Sequence, residues 1–82
     1  MDFKNPLTGN YEKITTAFMH ERAKRLNDPR HKFYEAILST NSFSQYYSEV
    51  GNLVVRPSTT SYDVNADMEI KYALRCGWIE AI

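Results

Sequence analysis

"NYEKITTAFMHERAKRLNDPRHKF", residues 10–33, is the stretch on which the fold turns. At 100° per residue, Tyr11, Ile14, Phe18, Met19, Ala23 and Leu26 gather over about half a helical circumference. Lys13, His20 and Lys24 fall on the other side. Asn10 is a suitable N-cap, and Glu12 would lie in the first turn, where an anion is favoured. The spacing therefore predicts one helix from Asn10 to about Leu26. "NDPR" would stop it and restart the chain, with Asp28 as N-cap and Pro29 at the first helical position. Residues 20–33 of this stretch carry Arg22, Lys24, Arg25, Arg30 and Lys32, half of the ten Lys and Arg residues in a chain of formal net charge zero.

The second helix is expected to run to about Ser39, with Phe33, Ala36 and Ile37 on its inner face and Tyr34 and Leu38 widening it. "STNS" breaks the pattern. Ser42 and Gln45 have capping-box spacing, and Phe43, Tyr46, Tyr47 and Val50 recur at helical intervals up to Gly51, a natural C′ residue. Residues 52–64 read as a hairpin or arm. Val54 and Val55 are β-branched, Pro57 and Ser58 mark a turn, and Thr59, Thr60 and Tyr62 favour extended chain. Asn65 should cap a last helix with Asp67 and Glu69 in its first turn and Arg75 in its last. Ile70, Ala73 and Leu74 form its core face, Gly77 ends it, and Trp78 and Ile79 are expected to pack inward as the chain trails off. Residues 1–10, with Pro6 and "TGN", read as an irregular lead-in. The expected fold is mainly α: a single domain over residues 1–82, of about four short helices with a minor β hairpin between the third and fourth.

Eighty-two residues bury a small core. Aromatic content is 13%, with six Tyr, four Phe and one Trp. Such rings serve a small core and an interface equally well. Cys76 is the single cysteine, so no disulfide forms within the chain. No apolar run approaches the roughly 20 residues that cross a bilayer, and "MDFKNPLTGN" lacks a basic-then-apolar leader. A cytoplasmic protein is expected. Charge is uneven: residues 1–32 balance to +3 and residues 33–82 to −3.

Little here suggests catalysis. His20, His31 and Cys76 are the only soft metal ligands and form no close pair of the kind structural zinc sites use. They are expected to be two surface histidines and one buried thiol. Cys76 would sit at a helix C-terminus, where the dipole disfavours a thiolate. No Gly-x-Ser-x-Gly elbow or glycine-rich phosphate loop is present. Asp67 and Glu69 stand where a helix start wants acids. No enzyme activity, cofactor or metal is expected.

Two binding classes remain. Helices two and three with a following hairpin suggest a winged-helix-like DNA- or RNA-binding regulator, in which Gln45 reads a base and Arg22, Lys24, Arg25, Arg30 and Lys32 meet the backbone. The would-be recognition helix, however, presents Ser44, Gln45, Ser48 and Glu49 and no cation, and phosphate contact depends on cations. Protein binding fits more of the residues. Arg and Tyr are common anchors of interfaces, and Arg22, Arg25, Arg30 and Lys32, with Tyr11 and Tyr46, are the candidate partner-binding residues. In size, helix-rich pattern and lack of catalytic motifs the chain looks like the small accessory proteins of phages and mobile elements, which implies an inhibitor or regulator but assigns no residue. The expected function is a non-enzymatic protein that occupies a surface of a host or cognate protein, acidic charge on that surface being the complement of the basic stretch. A subunit of a larger assembly is the third alternative.

Overall fold

Residues 10–33 do not form the single long helix that their periodicity suggests. In the computed structural model, which describes residues 7–26, 29–58 and 61–82, Tyr11–Lys13 is a strand (β1) and the first helix, α1, spans only Ala17–Arg25. The rest follows as α2 (His31–Ser39), α3 (Phe43–Val50), β2 (Val54–Val55), β3 (Val64–Asn65), α4 (Ala66–Arg75) and β4 (Ile79–Ala81). Pro29, expected at the first helical position, lies instead in a turn closed by Lys32 N–H on its carbonyl at 3.0 Å, and Arg30 is the N-cap of α2; the Asp28 cap and the Thr59–Thr60 strand lie outside the described residues.

The correction at β1 has a tertiary cause. β1 pairs antiparallel with β4, Tyr11 opposite Ala81 and Lys13 opposite Ile79. The N–H groups of Ile14 and Thr15 donate to the Trp78 carbonyl at 2.9 and 3.3 Å, so the chain's two ends satisfy each other's backbone. Sequence periodicity could not detect this pairing, because its partner lies more than sixty residues away. Strand geometry sends Tyr11 into the core, 2% exposed, with its ring 4.9 Å from Phe43. Its hydroxyl donates to the Ile37 carbonyl at 3.1 Å and meets the Thr40 hydroxyl. Lys13, expected on a solvated helix face, instead donates to the Thr40 carbonyl at 2.6 Å and Asn41 Oδ1 at 2.9 Å. A cation is favourable there, just beyond the C-terminus of α2. The C-terminal "WIEAI" is likewise not a trailing segment. Ile79 is buried within β4 and Trp78 half-buried before it.

The helix caps expected for α3 and α4 are present. Ser42 accepts from Gln45 N–H at 3.2 Å, and Gln45 Oε1 accepts in return from Asn41 N–H, one residue earlier than a standard capping box. Asn65 accepts from Met68 N–H at 2.9 Å and caps α4. At the other end of α4 Gly77 has φ +76°. Its N–H donates to Leu74, and that of Trp78 to Ala73, the paired bonds of a Schellman ending. Gly51 differs from expectation: it follows α3 in right-handed conformation, its N–H still bonded to the Tyr47 carbonyl at 2.7 Å. The hairpin is present, but its second strand is Val64–Asn65 rather than the segment before it. Val55 pairs with Val64. Tyr62, expected in that strand, is an exposed bend residue.

The core lies where α2 is enclosed by α1, α3 and α4. Met19, Phe33, Tyr34, Ile37, Tyr46, Ile70 and Ala73 are fully excluded from solvent. Burying each large apolar side chain contributes roughly 1.5–3 kcal/mol. Hydroxyls bolt the aromatic layer together. Tyr34 donates to Glu69, Tyr46 to the Ala66 carbonyl at 2.6 Å, and Tyr47 to Asp67 at 2.7 Å. Three tyrosines from α2 and α3 thus converge on the first turn of α4. Among the described residues, no helix is long and apolar enough to cross a membrane.

Candidate binding face and groove

The short α1 buries only one residue completely, Met19. Ile14 and Phe18, expected on the inner side of a longer helix, are 54% and 55% exposed. The helix starts later than expected and packs chiefly on α2, so the apolar arc is divided. Met19 faces the core, Ala23 and Leu26 pack at its margin, and Phe18 stays outside. Phe18 is not isolated. Its ring stacks on Trp78 at 5.7 Å with 16° between the planes. Trp78 and Tyr72 meet nearly perpendicular at 5.5 Å, and Tyr72 is 39% exposed. Arg22, one helical turn after Phe18, lays its guanidinium 5.5 Å from the Tyr72 ring and 5.0 Å from that of buried Tyr34. Phe18, Trp78, Tyr72 and Arg22 therefore form one continuous strip, with Ile14 at the end where β1 meets Trp78.

Beyond Arg22 the surface dips into a groove of about 550 Å³ between α4 and the junction of α1 and α2. Met68, Lys71, Tyr72 and Arg75 line it from one face of α4, Arg22 and Arg30 from the junction, and Tyr62 from the loop before β3. Among the described residues that line it, cations number four against two carboxylates, Asp67 and Glu69. Both carboxylates have partners within the fold. Asp67 binds the Tyr47 hydroxyl and Lys71 Nζ, the latter at 2.8 Å, and Glu69 binds the Tyr34 hydroxyl. Burial, followed by the Glu69 charge, raises the Tyr34 pKa far above its ordinary value, so the phenol remains a donor. Arg22 is different: its Nε is buried without a hydrogen-bond partner.

The sequence-derived candidates separate sharply. Arg22 and Arg30 meet in the groove. Arg25 points elsewhere, exposed and paired with Glu21 at 2.8 Å across one turn of α1. Lys24 and Lys32 are exposed and do not line the groove. Tyr11 and Tyr46 are core residues at 2% and 0% exposure. As surface anchors they are corrected: β1 pairing turns one inward, and the α3–α4 contact encloses the other. Gln45 is exposed but serves as the reciprocal cap of α3. Phe18, Tyr62, Met68, Tyr72, Arg75 and Trp78 belong to the face without having been singled out as binding residues. Met68, Tyr72 and Arg75 carried a usable signal, since their spacing of four and three puts them on one helix stripe.

Cys76, expected as a buried thiol, is exposed at the end of α4. Among the described residues no three His, Cys, Asp or Glu side chains come together as a metal ion would require. Comparison with protein families, curated proteins and solved structures finds no match.

Proposed function

We propose that this chain is a non-enzymatic binding protein that works by occupying the surface of another protein, in the manner of a small inhibitor or regulator. The observation that carries the reading is the strip Phe18–Trp78–Tyr72–Arg22. Trp, Tyr and Arg dominate interface energetics: the rings remove a large area from water with few internal degrees of freedom, and Arg adds a planar fork of donors on a long apolar stem. Here they are already stacked on one another, so a partner would not have to order them. The core is complete without the outer face of Phe18, which folding alone leaves in water. A host or cognate protein in a reducing cytoplasm is the partner we favour, since the exposed Cys76 thiol is compatible with that compartment.

A winged-helix reading has less support. The outward face of α3 offers Ser44, Gln45, Ser48 and Glu49, and its one base-reading candidate is occupied as a cap. Affinity capture from the native host with wild-type, Phe18→Asp and Ser48→Ala baits tests the proposal. A protein retained by wild type and Ser48→Ala, and lost with Phe18→Asp, is expected. Phe18 is more than half exposed, so the substitution should preserve the helical far-ultraviolet circular dichroism signal. Identical proteins recovered by a folded Phe18→Asp bait would overturn the reading.

A further inference from the structure

We infer that the groove beside the aromatic strip is the seat for an acidic segment of the partner protein, with Arg22 as its fixed carboxylate anchor. The inference rests on the protein-binding reading and gives the partner its chemistry. Among the described lining residues four cations meet two carboxylates, and Lys71 pairs with Asp67, which leaves positive charge in excess. The field left over favours an anion. Arg22 is already immobilised between the Tyr34 and Tyr72 rings. Arg22 lines the groove, and the planar fork of its guanidinium matches the geometry of a carboxylate. The entropy of holding an arginine side chain in one rotamer is then borne by folding rather than by association. Tyr62, Met68 and Tyr72 add apolar surface beside the charges, so the segment should carry an aromatic or branched aliphatic residue next to its Asp or Glu.

A polynucleotide suits this groove less well. Its backbone needs a basic track several phosphates long, whereas the cations here are confined to a single groove between α4 and the junction of α1 and α2. A groove of about 550 Å³ holds a few side chains of a peptide.

The test is selection from a displayed library of random 12-residue peptides on the immobilised full chain. Recovered peptides are then titrated by fluorescence anisotropy in low and moderate salt. Enrichment of Asp and Glu beside an apolar residue is expected. Affinity should fall about tenfold in Arg75→Glu, the magnitude of one lost charge-assisted contact, and should fall again with salt. Arg75 is exposed in the last turn of α4 and leaves the core untouched. Arg22→Lys reports on the anchor itself, because an ammonium keeps the charge but not the planar fork. Weaker binding to a folded Arg22→Lys supports the assignment. Peptides without acidic enrichment, whose binding depends on Phe18 and ignores Arg75, would overturn the groove inference while leaving the protein-binding face intact. A mixed-sequence 12-nucleotide single strand that binds more tightly than any peptide, with the same Arg75 dependence, would overturn it in favour of nucleic acid. Recovery of no binding peptide at all also counts against it, and the Phe18→Asp capture then judges the broader reading separately.

Discussion

Glu69 shows how much one buried carboxylate organises. It lies in the first turn of α4 at 7% exposure, with the Tyr34 hydroxyl as its partner. A charge removed from water is tolerated only when paired and hydrogen-bonded. Tyr34→Phe is therefore expected to lower stability by about 1–3 kcal/mol in a urea titration, the cost of an unsatisfied buried acceptor. Removing both polar groups in Tyr34→Phe/Glu69→Leu should cost less than the two single changes added together. Additive losses would mean that the two groups act independently. The same acid was legible in sequence only as a helix-start residue. Nothing within α4 itself reveals that Glu69 faces a tyrosine thirty-five positions earlier, because that depends on how α2 crosses it.

The helices divide by how local their causes are. α3 and α4 carry their own punctuation, and most of it works as written: Ser42 and Asn65 cap and Gly77 takes the left-handed turn, while Gly51 ends α3 in right-handed conformation. Asn65→Ala should cost about 1 kcal/mol through the lost cap bond. Gly77→Ala should cost a similar amount, about 1–2 kcal/mol, from left-handed backbone strain alone, since a Cβ there meets nothing within 4 Å. Thermal melts of the two variants and their combination would check this. The positions lie at opposite ends of α4, so the losses should add. α1 has no such signals. Thr16 makes no side-chain cap bond and the first turn has no acid. At nine residues α1 is too short to persist alone, and its start is set by where β1 leaves the sheet. This is why the sequence-predicted helix over 11–26 overshoots, and why Phe18, assigned inward by periodicity, is free to build a surface.

At the scale of the molecule, the tyrosines join the elements. Burial raises the pKa of Tyr11, Tyr34, Tyr46 and Tyr47 above the ordinary phenol value; Glu69 adds to the effect at Tyr34 and Tyr46, and Asp67 at Tyr47. A group whose folded pKa is raised contributes stability that is whole below its unfolded pKa and is lost as pH rises above it. Stability should therefore show no loss from these groups up to about pH 9 and decline above about pH 10, where unfolded tyrosines release protons and folded ones do not. Each fully buried tyrosine contributes a slope of about 1.4 kcal/mol per pH unit. Tyr34 and Tyr46 together therefore give a decline of about 3 kcal/mol per unit. Phenolate absorbance should then rise in part as a cooperative step coincident with loss of helix. Ionisation of all six tyrosines without unfolding would contradict the tyrosine lattice.

Taken alone, the sequence determined the helix-dominated class, the caps and stops of α3 and α4, the hairpin between them and the concentration of cations around Arg22 and Arg30. These follow from short-range rules: side-chain periodicity, backbone capping and the conformational freedom of glycine. Tertiary structure decided the rest. It turned Tyr11 from a helix position into a strand position by pairing it with the C-terminus. It buried Tyr46 and exposed Phe18, and it brought Arg22 between rings from α2 and α4. Each of these depends on a partner far along the chain, and no local pattern records which distant backbone will satisfy an N–H or which distant ring will cover a guanidinium.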